Sequence, residues 1–531
     1  MDILIGYRDV DNDYVIDKMN DHCKLIDKKL RKVDLLTNGH TDYHDQLIAK
    51  RGFTYDEYLW LFDGGLDENR YHHYPIFNFL KIITDVQRRY YTARYEASKE
   101  DYVKLLQRSN IPQIQVFFRK VAATIPVSDL KMHCYISGMT GSGKSVFAKN
   151  LFYRLQKDTS HSLVLIDPHG DLALDIKRFH LNEDHDRVVY IDPSLDDTMT
   201  PVINPLQLRD RSEKNIEVVT NQLMTVIEDT MPRGAKFTAQ MATILSPCIS
   251  VLLRKGNATF EDLQRFMNDE TNGELVEIGK KSPLTTERKF FTNLFELGKY
   301  KVSKESIATR IQQLVNIQSF YQLTCGKSTI DLERCVNNGK IIIVNLSKAH
   351  MDERIVPVFG RFIMAMLLGY AFKRGRTNTY RKPTFVFIDE CQNFISRNIQ
   401  TVLDEARKFG LHLVLINQFI DQITDIEIKK AIKSNTNIKI FGKNHFEHFK
   451  YFGRSLQIPE EEFAKIKKYH FYIKSGDKKA VMIPSSNELE SGKYRLTDNQ
   501  EKSLDSYLLS KYYRLISQIS EIDELKPKFG R

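Results

Sequence analysis

Short runs of apolar residues recur along the middle of the chain, and each run ends in glycine or in polar residues. Runs of this kind are typical of strands that are buried on both faces, and helical periods separate most of them. The runs occupy residues 134–138, 162–168, 187–193, 340–347, 384–390, 411–417 and 438–442. This alternation predicts an α/β fold, in which a parallel sheet carries crossover helices on its faces.

One long gap interrupts the series of strands. Residues 208–336 lack strand texture and show helical spacing instead, as in NIEVVTNQLMTVIEDT. We interpret them as an all-helical domain inserted into the α/β domain, whose two parts are residues 113–207 and 337–486. Near the end of the second part, YHFYIKSGDKKAVMIP predicts a hairpin with a Gly-Asp turn. Residues 487–531 are predicted to form a charged helical tail.

The N-terminal residues 1–112 are predicted to form a mostly helical domain, because apolar side chains there follow a helical period. Within them, residues 88–95 read RRYYTARY, which interleaves arginines with tyrosines. Such a segment can hold a phosphate backbone and stack bases. The alternative is a solvated helix with buried tyrosines, and the spread of these residues around a helix favours it.

Composition narrows the class of protein. The chain has 531 residues with 78 Lys and Arg against 68 Asp and Glu, a net charge of +10. An apolar fraction of 42% excludes a wholly disordered chain, and 6 cysteines without a CxxC pair argue against a disulfide scaffold and a zinc site. The mild basic bias permits an acidic partner such as nucleic acid.

The longest apolar run, residues 362–372, is bracketed by Arg361 and Lys373. It is too short for a bilayer, which needs about 20 residues, and therefore predicts a buried core helix. The first residues turn acidic before an apolar signal-peptide region can form. From these patterns we expect no transmembrane segment and a cytoplasmic protein.

A phosphate-binding loop follows the first strand of the series. The motif G-x-x-x-x-G-K-[ST] is matched by Gly138, Met139, Thr140, Gly141, Ser142, Gly143, Lys144 and Ser145. Its glycines allow backbone N–H groups to point at phosphate oxygens, Lys144 adds a positive charge, and Ser145 offers a hydroxyl to Mg²⁺. Because a predicted strand precedes the motif and a predicted helix follows it, we expect ATP and Mg²⁺ to bind here.

An acidic pair ends a later strand of the series. In TFVFIDE, Asp389 is placed to hold the Mg²⁺ shell and Glu390 to act as general base on the attacking water. A surface pair of acids would look the same in sequence. The presence of the phosphate-binding loop favours the catalytic interpretation.

The next strand, LHLVLIN, is followed by Gln418. Strand ends at the carboxyl edge of a parallel sheet converge on the ligand crevice. A glutamine there can orient water or contact the γ-phosphate, although a polar residue can also simply end a strand.

These motifs together resemble the FtsK–HerA superfamily of DNA-pumping ATPases, and within it the coupling-protein group of type IV secretion and conjugation. The resemblance is carried by DLKMHCYISGMTGSGKSVF, VLIDPHGDLA, INPL, and FVFIDECQNF followed by LDEARKFGLHLVLINQ, and it spans about residues 115–485. Coupling proteins also carry an all-helical insertion after the third strand. They usually carry N-terminal membrane helices, and none is visible in this sequence.

The resemblance implies a hexameric ring that hydrolyses ATP and translocates double-stranded DNA without sequence preference. It implies that Arg407, in the E-A-R-K stretch, acts on a neighbouring subunit's nucleotide; pairing with Asp404 or Glu405 is the alternative. His169 and Asp171 would lie near the nucleotide or the pore, without an assigned role; the alternative is a DPHG turn held by hydrogen bonds. A relaxase, a nuclease or a secretion channel would be the partner.

Two other functions remain open from the sequence. The first is an ATPase that powers protein secretion or viral genome packaging. The second is a nucleotide-binding assembly scaffold with little turnover, which the intact Asp389–Glu390 pair argues against.

Overall fold

The structure is a computed structural model that describes residues 2–10, 116–229, 237–376, 381–444, 456–486 and 488–519, with single positions among 12–18, 103–108 and 452–453. The chain divides into two compact units, residues 1–6 with 124–531, and residues 7–123. The predicted helical domain of residues 1–112, including RRYYTARY, lies almost wholly outside the described residues. A strand that was not predicted, β1 (Asp2–Arg8), begins the chain and belongs to a two-stranded sheet with β2 (Val121–Pro126).

A large mixed sheet forms the centre of the larger unit. Within the described residues it has nine strands, which are β3 Cys134–Ser137, β4 Ser162–Asp167, β5 Val188–Ile191, β7 Ile341–Asn345, β8 Thr384–Ile388, β9 Leu411–Asn417, β10 Ile438–Phe441, β11 His470–Ser475 and β12 Val481–Pro484. Their order across the sheet is β12-β11-β10-β3-β9-β8-β4-β7-β5.

Every strand predicted from the apolar runs lies in this sheet, and the strands from β10 to β5 pair in parallel. The strands β11 and β12 form the predicted hairpin and add to β10 in antiparallel orientation. The fold is therefore the predicted P-loop α/β sheet, because near-continuous apolar strands need cover on both faces.

Helices cover the sheet and connect its strands. Those of the α/β part are Val127–Leu130, Lys144–Gln156, Asp171–Lys177, Ile355–Arg376, Arg397–Asp404, Ile426–Asn435 and Glu460–Ala464. The helix Ile355–Arg376 contains the longest apolar run and is apolar enough to cross a membrane, with a window of mean hydropathy 1.8. Because 78% of that window is buried inside the fold, it has the character of the predicted core helix.

The all-helical insertion follows β5 and the short strand β6 (Met199–Pro201). Its helices are Glu213–Asp229, Ala239–Lys255, Phe260–Phe266, Gly273–Lys280, Thr285–Asn293, Lys301–Val315, Gln318–Thr324 and Leu332–Asn337. Phe266 and Phe295 pack against Phe291 with ring centroids 5.6 and 5.3 Å apart. The insertion thus has an aromatic core of its own.

The C-terminal segment is attached to the sheet rather than extending from it. The helix Asp498–Tyr512 forms ion pairs with the α/β part, including Lys177 to Asp505 at 2.7 Å and Arg178 to Glu501 at 2.9 Å. It ends in a strand that was not predicted, β13 (Tyr513–Leu515), which pairs antiparallel with β6.

Candidate functional site

The phosphate-binding loop connects β3 to the helix Lys144–Gln156, at the carboxyl edge of the sheet. Gly141 and Gly143 adopt φ values of 78° and 95°, a conformation that side chains with a Cβ rarely adopt. At Gly138, a Cβ would lie only 2.5 Å from Ser142 Oγ. The loop is therefore shaped as the motif predicts, with its N–H groups at a helix N-terminus where an anion is stabilised.

Three predicted site residues meet beside this loop. Lys144 Nζ lies 3.2 Å from Glu390 Oε1, and Gln418 Nε2 donates a hydrogen bond to the same oxygen at 3.3 Å. The other carboxylate oxygen of Glu390 accepts a hydrogen bond from Gln392 Nε2 at 2.7 Å. These residues follow β3, β8 and β9, whose carboxyl ends lie together because the strands are neighbours and parallel.

The carboxyl group of Glu390 is held in its ionised form. It is 5% exposed and adopts φ 42°, a strained conformation for a residue with a side chain. Burial opposes ionisation of its carboxyl. The charge of Lys144 and the hydrogen bonds from Gln392, Lys144 and Gln418 nevertheless hold its pKa below the ordinary value. Glu390 is thus an ionised carboxylate poised near the loop.

Asp389 has the opposite character. Burial raises the pKa of its carboxyl to about 7, and the charge of Asp167 adds to the rise. Its Oδ1 is buried and finds no hydrogen-bond partner among the described residues. A buried carboxylate oxygen without a partner at the edge where the exposed Ser145 also lies fits a divalent cation, because Mg²⁺ prefers hard oxygen ligands.

Asp167 lies in the stretch VLIDPHGDLA, and no role was predicted for it. Its carboxylate accepts hydrogen bonds from the backbone N–H groups of His169 at 2.9 Å and Ala173 at 2.8 Å. It therefore holds the turn that starts the helix Asp171–Lys177, as the hydrogen-bonded interpretation of DPHG expects. The side chains of His169 and Asp171 are exposed beside this turn.

The position of Gln418 depends on residues that the sequence analysis missed. The backbone carbonyl of Gln418 accepts hydrogen bonds from Ser137 Oγ at 3.0 Å and Asn444 Nδ2 at 2.9 Å. Ser137 ends β3 and Asn444 follows β10, so two neighbouring strands fix this residue. Their position at strand ends was the signal that could have found them.

Arg407 does not lie with the other predicted site residues. It belongs to the short segment Ala406–Phe409, which precedes β9 at the amino edge of the sheet, opposite the phosphate-binding loop. Its side chain is exposed and lines a cavity of about 450 Å³ together with His133 and Lys439. In the part of the chain that the structure describes, Arg407 forms no ion pair with Asp404 or Glu405.

Comparison with known proteins gives two matches to protein families. Residues 104–367 match the family model described as Helicase HerA, central domain. Residues 383–457 match the family model described as TraM recognition site of TraD and TraG. No curated protein sequence matches the chain.

Solved structures share the fold. The bacterial conjugative coupling protein TrwBdeltaN70, in its unbound monoclinic form, is 13% identical, with a TM-score of 0.52, over 68% of this chain and 87% of that one. The plasmid coupling protein TrwB in complex with the non-hydrolysable ATP analogue ADPNP is 14% identical, with the same TM-score and the same coverage. At this identity the likeness establishes the fold.

The raised pKa of Asp389 predicts how stability depends on pH. Between about pH 4 and pH 7 the folded protein keeps a proton that the unfolded chain has already released, so the nucleotide-free protein loses stability as pH rises. Asp389→Asn removes this loss. In thermal unfolding with EDTA, we expect its melting temperature to exceed that of the wild type by several degrees near pH 8 and by much less near pH 5.

The exposed carboxylate Asp404 provides the control, since Asp404→Asn should shift the melting temperature little at either pH. An equal gain for Asp389→Asn at both pH values would contradict the raised pKa.

Proposed function

The chain belongs to the FtsK–HerA superfamily of P-loop ATPases, and on this premise we propose that it is an ATP-driven ring motor that translocates double-stranded DNA. The observation that carries the proposal is the meeting of Lys144, Glu390 and Gln418 beside Asp389. In the proposed site, Lys144 is the cation that contacts the phosphates and Glu390 is the base. Gln418 orients the attacking water, and Asp389 is a metal ligand.

The proposed reaction is hydrolysis of ATP to ADP and phosphate. Glu390 accepts the proton of a water molecule while the water oxygen attacks the γ-phosphorus and the bond to the β-phosphate oxygen breaks. Gln418 orients that water, and Lys144 stabilises charge on the β- and γ-phosphates. Ser145 and Asp389 would hold Mg²⁺, which neutralises phosphate charge when it is bound.

The contact between Lys144 and Glu390 adds a coupling between binding and chemistry. Lys144 is the counter-ion of Glu390, at 3.2 Å. Phosphate oxygens compete for the same ammonium group, so nucleotide binding frees Glu390 to act on water. The base is therefore least available when no substrate is present.

The DNA part of the proposal rests on the family and on the net charge of +10. Contacts would be mostly to phosphates, because a motor that moves along any sequence cannot depend on base contacts. The match to the family model described as TraM recognition site of TraD and TraG supports a partner related to DNA transfer, and a relaxase, a nuclease and a secretion channel are the candidates. We place the motor in the cytoplasm, as a hexameric ring.

Substitution of Glu390 tests the chemistry. Glu390→Gln should bind ATP at least as tightly as the wild type, because it removes the counter-ion that competes for Lys144. It should hydrolyse ATP about 10²–10⁴-fold more slowly, because the base is gone. Lys144→Ala should lose nucleotide binding. Steady-state phosphate release and calorimetric binding of ATP measure both effects.

Glu461→Gln is the matched control, because Glu461 is an exposed glutamate outside the site. Wild-type turnover in Glu390→Gln would rule out the assignment of Glu390 as base, whereas negligible turnover of the wild type itself would favour the assembly scaffold.

The effect of duplex DNA on ATP turnover tests whether DNA is the substrate of the motor. Two duplexes of unrelated sequence should raise ATP turnover of the oligomeric protein to the same extent. The stimulation should fall steeply with added salt, because binding to phosphates releases counterions. Phosphate release measured over a salt series gives both results. Absence of stimulation at low salt would favour an ATPase that moves protein.

We further propose that Arg407 is an arginine finger that completes the site of a neighbouring subunit. Its exposure and its place opposite its own phosphate-binding loop support this role. Arg407→Ala should bind ATP but hydrolyse it poorly, since such fingers contribute about 10³–10⁵ to the rate. Mixed with inactive Glu390→Gln subunits, it should regain part of the activity, because an intact finger then meets an intact base.

The neighbouring Lys408 is exposed as well, and Lys408→Ala should leave hydrolysis near the wild-type rate. Mixed rings that form but stay inactive, or full activity of Arg407→Ala alone, would exclude a finger that acts between subunits.

A further inference from the structure

Tyr469 is joined to the phosphate-binding loop by its backbone. Its N–H donates a hydrogen bond to the carbonyl of Ser142 at 2.8 Å, and its own carbonyl accepts one from Ser485 N–H at 2.7 Å. The residue directly precedes β11 and adopts φ 62°, which is uncommon for a bulky side chain. Strained residues that the surrounding structure holds in place are concentrated at functional sites.

The ring of Tyr469 lies directly against the loop. A Cβ added to Gly143 would be 2.3 Å from Tyr469 Cδ1, so glycine at this position leaves the space that the ring occupies. The ring is only partly buried, and the ammonium group of Lys468 lies 4.8 Å from its centroid. An aromatic face and a positive charge thus stand together beside the phosphate-binding loop.

The order of the strands gives the direction of a bound nucleotide. Glu390 and Gln418 follow β8 and β9, on one side of β3, so the γ-phosphate end of a triphosphate lies on that side. Tyr469 precedes β11, which lies on the other side of β3, beyond β10. A triphosphate that runs across the loop therefore directs its sugar and base toward Tyr469.

We propose that Tyr469 is the stacking platform for the base of the bound nucleotide. This inference rests on the proposed nucleotide site and adds the contact that holds the nucleoside. Because every base presents a π-face, stacking contributes affinity with little preference among bases. The site is thus expected to take purine nucleoside triphosphates with similar affinity, and to distinguish them from a bare triphosphate chain.

The experiment compares ligands that share phosphates and differ in the base. Binding of the non-hydrolysable ATP analogue AMP-PNP, of GMP-PNP and of inorganic tripolyphosphate is measured by calorimetry in the presence of Mg²⁺. Tyr469→Leu keeps bulk against Gly143 but removes the aromatic face, and Tyr469→Phe keeps the ring. Tyr507→Ala is the matched control, because that tyrosine hydrogen bonds Asp186 near β5, at the far side of the sheet.

We expect Tyr469→Leu to weaken both nucleotide analogues about 5- to 150-fold, which is the usual effect of losing one base–aromatic stack. The same variant should bind tripolyphosphate like the wild type. Tyr469→Phe and Tyr507→Ala should bind all three ligands within about twofold of the wild type, since neither loses a stacked face.

A second measurement does not depend on removing the ring. The chain has 1 tryptophan, Trp60. In a Trp60→Phe background, Tyr469→Trp should show fluorescence that AMP-PNP changes and tripolyphosphate leaves unchanged. Absence of a nucleotide-specific change in this variant would count against stacking.

Equal weakening of all three ligands in Tyr469→Leu would overturn the proposal, because Tyr469 would then only support the loop. Unchanged binding of the nucleotides would overturn it as well. Failure of the wild type to bind tripolyphosphate and AMP-PNP would instead contradict the nucleotide site itself. Lys144→Ala marks that second kind of failure, since it should weaken the base-free ligand along with the nucleotides.

Discussion

The carboxyl edge of the sheet is governed by the cost of burying charge. Lys144 and Glu390 are 7% and 5% exposed, and each would be unstable there without the other. Asp389 lies at the same edge, where burial and then the charge of Asp167 raise the pKa of its carboxyl to about 7. The edge therefore holds two acids of opposite character, Glu390 ionised beside Lys144 and Asp389 with a raised pKa.

The same edge explains why so much of the chain converges on a short loop. The phosphate-binding loop exchanges backbone hydrogen bonds with its surroundings, as Met139 N–H donates to the carbonyl of Lys443 and Ser142 accepts from Tyr469. Residues after β8 and β9, on one side of β3, and residues near β10 and β11, on the other side, therefore contact one segment.

The amino edge has a different chemistry. His133 is fully buried below Arg407, and its Nδ1 accepts a hydrogen bond from Leu413 N–H at 2.9 Å. Burial lowers the pKa of His133 to about 4, and the charge of Arg407 adds to the effect. The pKa of the neighbouring His412 is also lowered, to about 3, first by burial and then by the charge of His133. Both imidazoles are neutral at physiological pH, so the charge at this edge resides on exposed side chains such as Arg407.

The sequence by itself determined the features that depend on neighbours in the chain. The phosphate-binding loop follows from the spacing of glycines and Lys144. The parallel strands were predicted from apolar runs that need cover on both faces. Asp389, Glu390 and Gln418 were predicted as site residues from their places at strand ends.

The tertiary structure alone decided which of these strands are neighbours. Lys144 and Glu390 are 246 residues apart, and only the strand order makes them an ion pair. The contact of Tyr469 with Gly143, the approach of Asp167 to Asp389, and the pairing of β13 with β6 depend on strand order or on packing in the same way. Local sequence patterns determine which secondary structure each segment can form. Contacts between distant segments depend on how the whole chain buries its apolar faces and pairs its charges.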